Sequence, residues 1–263
     1  MMLSDLALYL IDTFTDKIFH GHPTVVCLLA EELNDELLVA IALENQYPET
    51  VFARLENKQW YIRWFNGLGE IYGTGHGSIA VASVLFNQYR FKSDKLILHS
   101  SLGQTNIFRE NERFYLEYPI THVTLGKVPS TFSQYFSIMP SEIWQNGPDV
   151  IAYFEEQSQV ENLSLQQDAL KTLVSGALIC TAPATETDIY ARCFLPRLGH
   201  FEETATPAIY PRLLQFWQQK MPKNSYKAVQ GLMRRSEIHF MRREHYIWVG
   251  GNCRCYFRGE LLL

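Results

Sequence analysis

Three acid/base side chains stand where a loop hands over to a regular element. Glu49 precedes an apolar, β-rich run, His76 opens a helix of small residues, and Glu202-Glu203 precede an aromatic-bearing helix. Such junctions anchor a side chain on a rigid support while leaving its tip accessible, so function concentrates there. A carboxylate and an imidazole that converge can take a proton from one carbon and return it to another. Taken singly, each has a plainer role: a glutamate beside a strand is usually a solvated end, and a histidine at a helix start is often a cap. His20 and His22 form a His-x-His pair, which on a strand would turn both rings to one face as in many metal sites. The Gly21-His22-Pro23 context reads instead as a turn, and no third ligand accompanies the pair, so no metal is expected. A serine hydrolase is not expected either, because no strand–Gly-x-Ser-x-Gly–helix elbow occurs.

The elements that must position these residues follow from local pattern. Leu6–Asp12 and Thr24–Leu29 read as strands around the Gly21-His22-Pro23 turn. Asn34 or Asp35 can cap a helix whose Leu37, Leu38, Ile41 and Ala42 share one face, ending near Asn45-Gln46 because Pro48 disfavours helical geometry at Tyr47. Thr50–Leu55, Trp60–Phe65 and Glu70–Tyr72 read as further strands. From His76 onward the chain is apolar or small around the full helical circumference, so this helix must be surrounded by protein. Gly73 and Gly75 lie just before it, where free backbone amides can face an anion.

The segment from Lys127 to Gly147 is rich in Pro, Ser and Gly and reads as a crossover. A second cycle follows it: strands at 150–154, 177–182 and 189–195, a helix over 163–173, a loop over 196–206, and a helix around Leu213–Trp217. The order repeats that of the first half in pattern, without a strict residue repeat. The tail from Glu237 to Leu262 alternates like strands, with Gly250-Gly251 as a turn. The expected organisation is an α+β chain with domains over 1–126 and 127–263, the last strand returning to the first.

Composition limits the partners. The 263 residues carry 23 Lys+Arg against 28 Asp+Glu, a formal charge of −5, and 47% are hydrophobic, enough for a substantial core. Arg234-Arg235 and Arg242-Arg243 are too short to make the positive field that nucleic acid requires, so no nucleic-acid partner is expected. Five cysteines without a CxxC pair, and Asp5 and Asp12 interrupting the first apolar run, point to a cytoplasmic protein. The longest stretch free of Lys, Arg, Asp and Glu, Ile71–Tyr89, is broken by Gly73, Gly75, His76 and Gly77, so no membrane span is expected.

The order and spacing of several motifs are specific. They include Ile11-Asp12-Thr13-Phe14-Thr15, Gly21-His22-Pro23-Thr24-Val25-Val26, Pro48-Glu49-Thr50-Val51-Phe52, Ile62-Arg63-Trp64-Phe65 and Glu70–Ser78. Later come Ala191-Arg192-Cys193-Phe194-Leu195-Pro196, Glu202–Ala208 and Gln230-Gly231-Leu232-Met233-Arg234. With these the chain resembles the phenazine-biosynthesis PhzF-like isomerases, within the diaminopimelate epimerase fold. The resemblance implies two pseudo-symmetric domains, each a sheet rolled around a central helix, with the active site in the cleft between them. It implies a homodimer, no cofactor, and a glutamate that moves a proton between carbons of a small carboxylate-bearing substrate. Carried over by position, Glu49 is that glutamate, His76 the assisting histidine and Glu203 the second carboxylate. His22, Thr74, Gly75, Gly77, Ser78 and Thr206 fall on substrate-binding positions. Two-thiol racemases of the same fold need a cysteine where Thr74 stands and another between Arg197 and Ala208, and both are absent.

The chain also departs from the family pattern. His22 replaces an asparagine, Pro48 a serine, Asn66-Gly67 a Thr-Pro, and Gly77-Ser78 an Ala-Thr. In the second half an Asp-Pro-x-Thr-Gly-Ser pattern becomes Glu203-Thr204-Ala205-Thr206-Pro207-Ala208. Pro207 and Pro211 lack amide protons, so anion capture there is expected to be weaker or rearranged, while the helix itself tolerates proline in its first turn.

Overall fold

The computed structural model describes residues 6–71, 73, 75–127, 130–166, 168, 170–171, 175–197 and 201–263. The chain divides into two compact units, one running to Glu117 and resuming over Gly250–Leu263, the other comprising Tyr118–Val249. The second unit therefore begins before the Pro/Ser/Gly-rich segment, inside a strand rather than in a linker.

In the first unit the strands are β1 (Leu6–Thr13), β2 (His22–Leu29), β3 (Thr50–Glu56), β4 (Gln59–Asn66), β5 (Gly69–Ile71), β6 (Lys95–Ser100), β7 (Gly103–Glu110) and β8 (Arg113–Pro119). The chain's last strand, β18 (Cys253–Leu261), lies antiparallel on β1. β1–β2 and β3–β4 are antiparallel, β2–β3 and β4–β6 are parallel, and β5 adds a short antiparallel arm to β4. Both parallel steps require a crossover, and each is made by a helix. The first is α1 (Asp35–Asn45), capped by Asn34, whose side chain accepts from the Leu37 amide at 2.9 Å, and closed by Gln46 in the left-handed region at φ 55°. Its buried Leu38, Ile41 and Ala42 pack with Cys27, Phe52 and Phe65. The second is α2 (Gly75–Asn87), in which every residue from Gly77 to Phe86 is buried. It packs against β1, β2, β3, β7 and β18, which explains why its sequence has no polar face.

The second unit has β9 (Thr124–Gly126), β10 (Glu142–Asn146), β11 (Asp149–Tyr153), β12 (Leu178–Pro183), β13 (Ile189–Phe194), β14 (Glu202–Glu203), β15 (Ser225–Gln230), β16 (Ser236–Arg243) and β17 (Tyr246–Gly251). Its crossover helices include α3 (Gln157–Glu161) before β12, and α4 (Tyr210–Lys220) between β14 and β15. The pairing repeats that of the first unit step for step. β10–β11 is antiparallel, β11–β12 parallel, β12–β13 antiparallel, β13–β14 a short antiparallel arm, β13–β15 parallel and β15–β16 antiparallel. β9 on β10 corresponds to β18 on β1. The pseudo-symmetry expected from pattern is thus present, strand sense by strand sense.

It also reaches individual residues, where the sequence alone displays no repeat. Arg63 on β4 forks onto Glu70 of β5 at 3.1 and 2.7 Å, and Arg192 on β13 forks onto Glu202 of β14 at 2.8 and 2.7 Å. Each guanidinium sits 4.9 Å from the ring two residues on, Phe65 or Phe194. Glu70 and Glu202 occupy the same rung, opposite Phe65 and Phe194 respectively.

Three local expectations are corrected. Gly250-Gly251 is not a turn but the end of β17, the turn falling at Glu244-His245. The reason is close packing, since a Cβ on Gly250 would lie 2.0 Å from the Phe114 carbonyl oxygen. The 127–147 segment contains strand β10 as well as a 3-10 turn over Ser130–Gln134. The helix expected over 163–173 starts later: Leu165 is in a β-bridge with Phe136, while 168, 170 and 171 are helical and the Leu170 amide bonds to the Gln166 carbonyl. Residues 167, 169 and 172–174 lie outside the described residues.

Candidate functional site

Glu49 is set by the start of the parallel β2–β3 ladder. Its carbonyl accepts from the Val25 amide at 3.2 Å, and Pro48 before it ends the approach from α1. The side chain is 1% exposed and reaches His76, whose Nδ1 lies 2.6 Å from Glu49 Oε1. The equivalent backbone bond in the second unit runs from the Val150 amide to the Ala177 carbonyl at 2.9 Å, so the duplicated position carries no acid there.

A glutamate and an imidazole at 2.6 Å share one hydrogen. With Glu49 ionised the hydrogen resides on Nδ1, which donates to the carboxylate; with Glu49 protonated the carboxyl donates to the ring. The pair can therefore pass a proton to and fro without changing its geometry. His76 is in the first turn of α2, beside Gly75, Gly77 and Ser78. Gly73 is exposed, Gly75 and His76 are half-buried, and Gly77 and Ser78 are buried. Thr74 lies outside the described residues.

His22 completes this group from the first unit. Its ring is 3% exposed and stacks on the His76 ring with centroids 4.0 Å apart and planes at 28°. The hairpin that delivers it is what distinguishes the first unit from the second. Leu10 faces Val25 across a long β1–β2 connection, whereas the corresponding Gln145 faces Val150 across a tight one. The longer connection is held from inside. The Thr13 hydroxyl donates to the His22 carbonyl at 3.0 Å, the Phe19 amide donates to buried Asp12 at 2.8 Å, and the Thr15 amide to the Asn252 carbonyl at 3.0 Å. Gly21 sits at φ 67° with the Thr13 carbonyl oxygen 2.1 Å from where a Cβ would be, so only glycine fits. The expected Gly21-His22-Pro23 turn is therefore corrected: the turn ends at Gly21, and His22 and Pro23 are the first residues of β2. His20 is exposed and its Nδ1 is 3.1 Å from the Ile18 carbonyl, so the His-x-His residues do not share a face.

In the second unit the adjacent acids separate. Glu202 is consumed by the Arg192 fork, and Glu203 is the half-buried neighbour opposite Cys193. The Glu203 carbonyl and the Thr206 hydroxyl both accept from the Gln230 amide nitrogen, at 2.9 and 3.1 Å. The Gln230 side-chain oxygen accepts in turn from the Thr206 amide and the Tyr210 hydroxyl, at 3.3 and 3.0 Å. Gln230 therefore shapes the chain from Glu203, the end of β14, to Thr206, a role that no local pattern signals because its partners are distant in sequence. Pro207 opens a 3-10 turn, and Pro211 lies in the first turn of α4. By the duplication, Pro207 stands where Gly75 stands in the first unit.

The thiols are set apart from this chemistry. Burial pushes Cys27, Cys193 and Cys253 up to about 12, and raises Cys180 further, so none of these four is a thiolate near neutrality. Cys255 is the exposed one.

Comparison with known proteins gives the family and the fold. Residues 11–251 match the PhzC-PhzF family of phenazine biosynthesis-like proteins. An uncharacterized isomerase of Pseudomonas aeruginosa is 29% identical over 98% of this chain and 99% of its own. The phenazine biosynthesis-like domain-containing protein 2 of Mus musculus is 26% identical over 97% of this chain and 99% of its own. A crystal structure of a PhzF-family phenazine biosynthesis protein from Enterococcus faecalis superposes with a TM-score of 0.93 at 25% identity, covering 99% of this chain and 100% of that one. A hydroxyproline epimerase from Agrobacterium vitis, at 9% identity, covers 99% of this chain and 94% of that one with a TM-score of 0.59, and shares the fold alone. The fold is thus α+β of the diaminopimelate epimerase type, and the chain belongs to the phenazine biosynthesis-like protein family, whose PhzF-like members and curated relatives include proteins named as isomerases.

Proposed function

We propose that this protein is a cofactor-independent isomerase that moves a proton between carbons of a small carboxylate-bearing metabolite, with Glu49 as the acid/base. The observation that carries the reading is the buried Glu49 carboxylate 2.6 Å from His76 Nδ1 at the head of α2. Glu49 removes a proton from substrate carbon. The electrons left behind delocalise into an unsaturated group of the substrate itself, and the same carboxyl returns the proton at a second carbon. His76 holds the glutamate in position and shares its proton between the two transfers. The first turn of α2, at Gly75, Gly77 and Ser78, takes the substrate carboxylate, where the helix dipole favours an anion. His22 lines the same end of α2. Following the family resemblance, Glu203, Thr206 and Thr74 complete the substrate contacts, and the protein acts as a cytoplasmic homodimer without nucleic-acid or membrane partners. Among the described residues no helix is long and apolar enough to cross a membrane.

The test is solvent exchange. In heavy water, small unsaturated amino and hydroxy acids are incubated with the protein and followed by mass spectrometry for deuterium at carbon. Wash-in that falls by at least about 100-fold in Glu49→Gln, with unchanged circular dichroism, supports the reading. Full exchange in that variant ends it.

A second reading is that the chain binds its ligand without turning it over. Pro207 favours it, because the helix start equivalent to Gly75 lacks one anion-binding amide. Saturable binding of an acid from the same panel, with no deuterium gained by wild-type protein, would establish that alternative.

A further inference from the structure

The duplication makes Thr24 and Asp149 equivalent. Val25 and Val150, the residues after them, donate in the same way to the carbonyls of Glu49 and Ala177. Thr24 is therefore abreast of Glu49 in the β2–β3 ladder, as Asp149 is abreast of Ala177 in the β11–β12 ladder. Asp149 shows what a side chain at this position can reach. Its Oδ1 accepts from the Ala177 amide at 2.8 Å, and its Oδ2 pairs with Arg212 Nε of α4 at 2.8 Å. One carboxylate thus ties the neighbouring strand to the crossover helix.

In the first unit every member of that clamp is exchanged. Glu49 stands for Ala177, Thr24 for Asp149 and, counting from the pair Gly75 and Pro207, Ala80 for Arg212. Side chains alternate between the faces of a sheet. Cys27 packs with α1, and Thr50 accepts from Asn45 at the end of α1, so Thr24 and Glu49 turn to the opposite face, where Glu49 meets His76. Thr24 is fully buried, and among the described residues its hydroxyl has no hydrogen-bond partner. Such a group lowers stability, and valine would fill nearly the same space without it.

A proton moved between two carbons is taken at one point and delivered at another, and the acid/base must come within about 2.6–3.2 Å of each. The bond to His76 holds Glu49 for only one of these positions. We propose that Thr24 is the positioning residue for the other, its hydroxyl donating to the Glu49 carboxyl once the glutamate carries the substrate's proton. This rests on the isomerase reading above for the two transfers. Ionised Glu49 accepts from His76 Nδ1–H and takes the proton from carbon on its other oxygen. The neutral carboxyl draws less strongly on His76, turns towards β2 and is held by Thr24 while it gives the proton to the second carbon. Ionised again, it returns to His76. The hydroxyl that lacks a partner in one half of the cycle gains it in the other.

Two substitutions and one structure test this. With the panel acid that wild type exchanges fastest, Thr24→Val should slow deuterium wash-in by about tenfold, the worth of one hydrogen bond, at unchanged KM. Its melting temperature should be no lower than that of wild type, because the lost hydroxyl is unpartnered in this structure. Thr24→Ser should restore the rate. Thr24→Val at the wild-type rate, or Thr24→Ser as slow as Thr24→Val, overturns the proposal and leaves the isomerase reading standing. A crystal structure of Glu49→Gln, whose neutral amide imitates the protonated carboxyl, gives a readout that needs no turnover. The side chain at position 49 should lie within hydrogen-bond distance of Thr24 Oγ1; if it stays on His76, the proposal fails. Absence of exchange in wild type overturns the isomerase reading instead, and the Glu49→Gln structure then decides the role of Thr24 by itself.

Discussion

At the scale of the residue, burial decides which groups remain available for chemistry. Glu49 is almost fully buried yet bonded to an imidazole, so its carboxylate is oriented rather than merely hidden. The four buried cysteines are held protonated by the same loss of water, which leaves a carboxylate rather than a thiol as the proton carrier in the proposed reaction. A colorimetric thiol assay on native protein at pH 8 should accordingly show one fast-reacting group per chain, lost in Cys255→Ser. The full set of five should react only after denaturation.

At the scale of the element, the duplicated Arg–Glu forks do the same job in different surroundings. Each ties the short arm before a helix to the strand behind it, so the segments that lead from Glu70 to His76 and from Glu203 to α4 start from fixed points. The Arg192 side chain is 8% exposed, and its Nη1 also donates to the Val160 and Leu163 carbonyls at 3.0 and 2.9 Å. The Arg63 side chain is 32% exposed and shares its outer nitrogen with Asp35 at 2.7 Å. Removing Arg192 strands a carboxylate and two buried carbonyls, so Arg192→Ala should cost about 3–5 kcal/mol. Arg63→Ala exposes its partners to water and should cost about 1 kcal/mol. Urea denaturation of the two variants measures the difference. Equal losses would mean that the forks are not distinguished by burial.

At the scale of the whole molecule, several carboxylates make stability depend on acid. The His239 ring and then the Lys227 ammonium hold Glu237 down at about 2, against an ordinary glutamate near ~4.3. Asp188 is raised by burial but lowered further by the Lys223 side chain and the Lys227 amide, for a net depression. A group with a depressed folded pKa binds its proton more readily in the unfolded chain. Its stabilisation is therefore complete above the unfolded value and disappears as pH falls through the folded one. The melting temperature should drop steadily from about pH 5 to pH 2, and Glu237→Gln should flatten part of that slope. A profile identical to wild type would remove Glu237 from the account.

Much of the framework is legible in the chain itself, because short-range chemistry fixes it. Asn34 before an apolar face is a cap wherever it occurs, and an α2 that is apolar on every side has to be enclosed. Gly21 and the prolines mark the turn and the helix ends through their own backbone limits, and the ordered motifs identify Glu49 and His76 as candidates before any contact is known. Other features depend on residues far apart in sequence. Glu202 and Glu203 are identical to their neighbours' eye in the chain, and only the β13–β14 register gives the first to Arg192. Gly250 reads as a turn until Phe114 is seen against it, and Gln230 has no signal until Thr206 and Tyr210 converge on it. The 2.6 Å Glu49–His76 contact and the His22 stack likewise required tertiary structure, since they join the start of β3, the head of α2 and the first residue of β2. Local propensity acts over a few residues, whereas a proton-sharing pair needs atoms placed to a fraction of an ångström, and packing across many strands supplies that precision.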